Sequence, residues 1–174
     1  WATVKVSGKG DNGLEIDGDD NTSGASPLSH AFVYNATFIG DATDAGIEAK
    51  ELTEGEIYNS ILANYAQGFN LYNVRATGDA YGKWNAGLLK VNNCTFVGNV
   101  AGFTIQTGAG IAPAAGADLT KFGTDGNVVA ASVPGFDFGY AMNTTTNVVS
   151  DVYDAAPNPN LTSTITPPAD GFYK

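Results

Sequence analysis

Two linked sequence patterns recur along this chain, and a fixed recurrence constrains the fold more tightly than composition can. The first pattern is Val33-Tyr34-Asn35-Ala36-Thr37-Phe38-Ile39-Gly40, then Ile57-Tyr58-Asn59-Ser60-Ile61-Leu62-Ala63-Asn64, then Val91-Asn92-Asn93-Cys94-Thr95-Phe96-Val97-Gly98. The second follows each copy: Gly46-Ile47-Glu48-Ala49, Gly68-Phe69-Asn70-Leu71 and Gly102-Phe103-Thr104-Ile105, with an earlier copy at Gly13-Leu14-Glu15-Ile16. Copies lie about 22 to 24 residues apart or about ten more, the spectrum of a regular coil with loop insertions.

The pattern predicts a parallel β-solenoid, in which each coil contributes short strands separated by turns. Period-2 alternation sends Ile47 and Ala49, Phe69 and Leu71, and Phe103 and Ile105 to one face. Glu48, Asn70 and Thr104 are then expected to point outward. Phe38, Leu62 and Phe96 should stack inside, beside a thinner column of Ala36, Ser60 and Cys94. Asn35, Asn59 and Asn93 fall at one turn position, where an amide can bond the backbone or the next Asn along the axis. An antiparallel sandwich also uses short strands and Gly-rich turns. Sandwich strands do not repeat the same inward residue types in the same order, so the solenoid is preferred. Gly46 and Gly55 argue against a helix over Thr43–Glu56.

The expected organisation is one all-β domain over 1–156, clearest over 13–105, followed by an extended Pro-rich segment over 157–174. Two insertions interrupt the coils, Asp17–His30 and Asn73–Asn85. Gly108–Ala117 reads as an irregular loop, and Thr124–Val129 and Thr146–Val149 as final strands of weaker register. The Pro-rich end is expected to pack on the surface or cover an open coil.

Composition narrows the function classes. Acids outnumber bases 18 to 8, giving a formal net charge of −10. No basic stripe exists to release phosphate counterions, which argues against nucleic acid, and an anionic membrane surface is disfavoured as well. No apolar run approaches the roughly 20 residues of a membrane-spanning helix. A single cysteine, Cys94, rules out an internal disulfide framework, and a single histidine, His30, makes a His-based metal centre unfavourable. Cys94 is expected to be a buried, inert thiol, and His30 a structural residue just before a strand. Low charge with abundant Gly, Asn and Thr suits an exported protein. The chain opens at Trp1, which fits a processed chain or a piece of a longer one.

The run Gly13-Leu14-Glu15-Ile16-Asp17-Gly18-Asp19-Asp20-Asn21, followed by Phe32–Gly40 and Gly46–Ala49, resembles the C-terminal part of secreted right-handed β-helix proteins of Bacteroidetes-type bacteria. The resemblance extends over roughly Gly13–Ile105, and the end with Phe172-Tyr173 is similar to how such chains finish. It implies a right-handed parallel β-helix and an extracellular or outer-surface location. It implies no activity. The family's helix usually has more coils on its N-terminal side.

Several residue groups are candidate sites. Asp17, Asp19, Asp20 and Asn21 are hard oxygen donors close together, which suits Ca²⁺, though a solvated acidic turn leaving a strand is the preferred reading. Thr22 stands where an EF-hand needs Gly, and Leu28 where it needs a bidentate Glu, so that motif is excluded. Tyr72, Arg75, Asp79, Tyr81, Lys83 and Trp84 could form a sugar platform, with rings stacking on a pyranose and polar groups orienting its hydroxyls. Trp84 could instead anchor its loop to the coil beneath.

Lyase chemistry needs a base beside acids or Ca²⁺. Arg75, Lys83 and Lys90, the basic residues near the middle coils, do not align with Asp19 or Glu48 in this register. Glu15 and Glu48 fall on successive outward positions, where stacked carboxylates could couple and raise one pKa as glycoside hydrolysis requires, although surface acids on a soluble solenoid are the preferred reading. The N-x-S/T tripeptides at Asn21, Asn35, Asn93, Asn143 and Asn160 would accept glycans only in a eukaryotic secretory route.

The function expected from these features is a non-enzymatic extracellular or cell-surface module for structure, adhesion or assembly. Its partners would be a surface protein, a glycan or further copies of itself. The alternative is a carbohydrate-binding or polysaccharide lyase-like protein, and no catalytic residue is assigned.

Overall fold

The computed structural model describes residues 2–4, 11–18, 29–76, 78–131, 140–143 and 148–152. Strands β1 (Ala2–Val4) and β2 (Leu14–Asp17) precede the regular coils. One coil runs through β3 (His30–Tyr34), β4 (Thr37–Ile39) and β5 (Ala45–Lys50). The next runs through β6 (Glu54–Tyr58), β7 (Ile61–Ala63) and β8 (Gln67–Asn73). Helix α1 (Ala80–Asn85) intervenes before β9 (Leu89–Asn92), β10 (Thr95–Val97) and β11 (Ala101–Thr107). Then come β12 (Gly110–Pro113), α2 (Ala117–Thr124), β13 (Val128–Ala130), β14 (Tyr140–Asn143) and β15 (Val148–Val152).

Strands of equal rank in successive coils pair in parallel, which gives three sheets: β3-β6-β9, β1-β4-β7-β10-β13, and β2-β5-β8-β11 with β12 added antiparallel at its edge. The all-β expectation holds, and the register is the one the repeats imply. Phe38 aligns with Leu62 and Leu62 with Phe96. Leu14, Ile47, Phe69 and Phe103 form a second inward column, with the Phe69 and Phe103 rings stacked at 5.2 Å. Strands β4, β7 and β10 bury nearly every residue on both faces, which is why they read as short apolar runs rather than alternating ones.

The three corners of a coil differ in kind. Between the first and second sheets each coil turns in two residues: Asn35-Ala36, Asn59-Ser60 and Asn93-Cys94. The three asparagines take φ of 56°, 54° and 54°, a left-handed conformation that Asn tolerates better than other side chains. Asn59 Nδ2 donates to Asn35 Oδ1, and Ala36 N–H donates to Ser60 Oγ at 3.2 Å, so side chains at this corner tie the first of these coils to the second. Asn59→Ala should lower stability by about 1–2 kcal/mol through left-handed strain and the lost amide bond, with Asn59→Gly recovering most of the strain. Denaturant midpoints of the two variants check this. Equal midpoints would mean that the turn conformation carries no cost.

The corner after the third sheet is the variable one, spanning residues 18–29, 51–53 and 74–88 in successive coils. Expected as a loop, the Asn73–Asn85 insertion carries α1. Its N-cap Asp79 accepts from Ala80 N–H at 2.9 Å, satisfying a donor that a helix start would leave open. Gly108–Ala117, expected as an irregular loop, contains β12. Thr107 and Gly110 close a short hairpin there, and β11 supplies the edge on which β12 forms. The strand expected over Thr124–Val129 begins only at Val128, because residues 117–124 form α2. That helix sets Phe122 against Phe96 at 5.3 Å and Phe103 at 4.8 Å, covering part of the last coil. The strand expected at Thr146–Val149 appears as β15, paired with β14. Segment 157–174 lies outside the described residues, as does most of the Asp17–His30 insertion.

Candidate functional site

The loop aromatics and ions do not assemble into one exposed platform. Trp84 is 0% exposed and packs within the core, its ring 5.4 Å from Phe103, while the Lys121 ammonium sits 4.5 Å over its face. An indole so enclosed offers no face to a sugar from solvent. It is the loop anchor, and α1 exists largely to bury it. Asp79 is buried as the helix cap and also accepts from Val74 and Arg75 N–H at 2.9 and 3.2 Å. Arg75 pairs with Glu51 at 2.8 Å, Lys83 with Glu54 at 2.7 Å, and Tyr81 donates to Asp118 at 2.9 Å. These groups diverge from one another, each held by a different element.

Tyr72 alone of this group joins a polar cluster. It stands on the outward face of β2-β5-β8-β11, where alternation throws the charged residues of β2 and β5 clear of the core. Glu15 aligns with Glu48, Glu48 with Asn70, and Asn70 with Thr104. A parallel row starts with Asp17 on Lys50 and ends with Tyr72 on Gln106.

Glu48 is the hub. Its carboxylate accepts from Asn12 Nδ2 at 3.0 Å, Lys50 Nζ at 3.1 Å, Asn70 Nδ2 at 3.3 Å and the Tyr72 hydroxyl at 3.3 Å. Thr104 then donates to Asn70 Oδ1 at 3.0 Å, extending the chain of bonds to the next coil. Lys50 also hydrogen-bonds Glu15, lies 3.8 Å from Asp17, and approaches the Tyr72 ring at 5.9 Å. Asn70 and Thr104 sit on the outward side as expected but are only 1% and 2% exposed, so the row is sunk at that end. Glu15 and Asp17 remain open to solvent.

Electrostatics follow from these contacts. The Lys50 hydrogen bond holds the Glu15 carboxyl below the usual carboxylate range, with Asn12 assisting. Glu15, and secondarily Glu48, keep the Lys50 ammonium protonated well above its ordinary pKa. The expected upward shift of a stacked Glu15–Glu48 pair is therefore reversed at Glu15, because a cation lies between the two acids. Asp17 is raised, first by burial and then by Glu15, Glu51 and Glu48, against the pull of Lys50. Asp11 beside the row is raised as well, by lost hydration and the Asp44 carboxylate first, with Glu15 and Glu48 adding.

Of the calcium candidates, Asp17 ends β2 within this face, while Asp19, Asp20 and Asn21 lie outside the described residues. Among the described residues no group of three or more His, Cys, Asp or Glu is arranged to hold a metal ion. Cys94 is fully buried and its thiol is pushed up to about 12 by desolvation. His30 opens β3 on another sheet, 3.7 Å from Glu54 and with its ring 4.7 Å from that of Phe32, tilted by 31°.

Lys50 is the cation that the search for a base along the middle coils passes over. The signal was available: Lys50 stands two residues after Glu48, as Asp17 does after Glu15, so alternation puts both on the outward face. Asn12 carried no such signal, since it precedes its strand and reaches the cluster through a turn.

A family described as a pectate-lyase-like beta helix domain has a sequence model that matches residues 1–149. No curated protein and no solved structure gives a match. Among the described residues no helix is long and apolar enough to cross a membrane.

Proposed function

The chain belongs to the pectate-lyase-like beta-helix domain family, and we propose that it is a non-catalytic carbohydrate-binding module that holds a saccharide chain along the outward face of β2-β5-β8-β11. The observation that carries this is the solvent-accessible polar row Asp17, Lys50, Tyr72 and Gln106 with Glu15 and Glu48 beside its start, the neighbouring Asn70 and Thr104 being buried. Adjacent strands lie about 4.8 Å apart, so the row spans roughly 14 Å along the coil axis. A row of acceptors and donors that long suits an extended chain of hydroxyl-bearing units better than a single small molecule.

Two features favour holding the chain over cleaving it. Elimination needs a base that is free of its proton, and Lys50 is kept protonated by Glu15 and Glu48. Glycoside hydrolysis needs one carboxyl that keeps its proton, and Glu15 is pushed the other way. An extracellular setting belongs to the same proposal, supported by the sparse charge and the abundance of Gly. A right-handed winding belongs to it too, since crossovers between parallel strands are overwhelmingly of that hand.

Affinity electrophoresis against a panel of soluble plant and microbial polysaccharides tests the function. Retardation by at least one, without new reducing ends or unsaturated products, is the expected result, and Glu48→Ala should abolish the retardation. Turnover that disappears in Lys50→Met would overturn the non-catalytic assignment. A panel without any retardation would overturn carbohydrate binding itself.

A further inference from the structure

Resting on the carbohydrate-binding function proposed above, we infer that this face selects saccharides without carboxylates and turns away the polyuronates that the family's description suggests. Within the two rows, Glu15, Asp17 and Glu48 face a single cation, Lys50. An ammonium has three N–H donors and no acceptor. Lys50 hydrogen-bonds Glu15 and Glu48 and lies 3.8 Å from Asp17, so its single positive charge is already shared among three carboxylates before a ligand brings a fourth.

Among the described residues no neighbouring cation makes up the deficit. Arg75 is paired with Glu51, Lys83 with Glu54, Lys90 with Glu56 and Lys121 with Asp125. Every lysine and arginine among the described residues is thus paired with an acid of this chain. A uronate entering the face would have to break one of these pairs or lie unpaired among like charges, and either is unfavourable. The carboxyls of Asp11 and Asp17 are raised first by lost hydration, and the neighbouring carboxylates Glu15 and Glu48 add to the shift at both.

A neutral sugar meets the opposite situation. Glu15 and Asp17 are open at the start of the rows, and ionised carboxylates are acceptors only, suited to the hydroxyl donors of a neutral pyranose. Gln106 and the Tyr72 hydroxyl add groups that both donate and accept further along. The selectivity is therefore built from cations already paired within the chain and from open acceptors.

The test compares a neutral galactan with polygalacturonate of similar chain length by isothermal titration, at low and at physiological salt. One extra like charge at this distance predicts polygalacturonate binding at least about tenfold weaker per uronate unit engaged at low salt, with the gap narrowing as salt is added. The Glu15→Gln/Asp17→Asn double variant should narrow the gap at low salt as well. Polygalacturonate binding as tightly as the neutral chain, in EDTA or in millimolar calcium, would overturn the selectivity while leaving carbohydrate binding intact. If galactan and every other neutral polysaccharide in the panel fail to bind, the carbohydrate-binding function falls and the selectivity with it.

Discussion

Trp84→Ala should destabilise the domain by about 3–5 kcal/mol, the range for removing a fully buried large aromatic side chain. The ring lies between α1 and the last coil, in contact range of Tyr81 at 6.4 Å and Phe103 at 5.4 Å, and beneath Lys121. Deleting it leaves a cavity that α1 cannot fill, because the helix is held at its start by Asp79 and at its flank by the Lys83–Glu54 pair. Among the described residues the indole N–H meets no acceptor, so Trp84→Phe loses little polar interaction and should cost much less than the alanine change. Denaturant unfolding of the two variants measures the difference. A loss under about 1 kcal/mol for Trp84→Ala would mean that the indole is not the core group described, since that is the scale of surface substitutions. Polysaccharide retardation in Trp84→Phe should match the unmodified protein, because the ring faces away from the polar rows.

Gly68→Ala is expected to be comparably damaging for the opposite reason, too much matter in place of too little. A Cβ at Gly68 would stand 2.5 Å from the Gly102 carbonyl oxygen and 2.6 Å from the Phe96 ring. At Gly46 the corresponding atom would stand 2.7 Å from the Gly68 carbonyl oxygen, so the same close approach repeats from coil to coil. The obstructing atoms are backbone of the adjacent strand and the edge of a stacked core ring, and neither gives way without disturbing the β8–β11 register. The cost should reach about 3 kcal/mol or more, the upper range for overpacking. Gly82→Ala, on α1 where a Cβ meets nothing, is the control and should be neutral or slightly stabilising. A Gly68→Ala midpoint within error of the unmodified protein would show that the coils pack less closely than these distances say.

How much of this was legible beforehand depended on whether a residue's role was set by its own coil or by a neighbour. Asn35, Asn59 and Asn93 were legible because a left-handed turn position narrows the choice of residue wherever it occurs. The inward columns were legible because alternation within one strand fixes which face each residue takes. Trp84 was not, because an aromatic residue in a polar loop looks the same whether it faces solvent or a hydrophobic end. Only the packing of α1 and Phe103 decides between the two. The burial of Asn70 and Thr104 was likewise invisible, since outward orientation and exposure coincide only where nothing lies over the face. Lys50 was legible in position but not in state: the alternation puts it beside Glu48, whereas its closeness to Glu15 and Asp17 depends on the register with β2.

The unequal corners have a consequence for how this chain tolerates change. The two-residue Asn corner admits no extra length, since one added residue would turn every following side chain to the wrong face. The corner after the third sheet has already taken residues 74–88 in one coil and only 51–53 in another, while β6 and β9 still pair in register. Length is thus a free variable at one vertex and a forbidden one at the next. Variation among descendants of such a chain should pile up along a single edge of the stack, and a foreign peptide grafted there would ride on the coils without being felt by them.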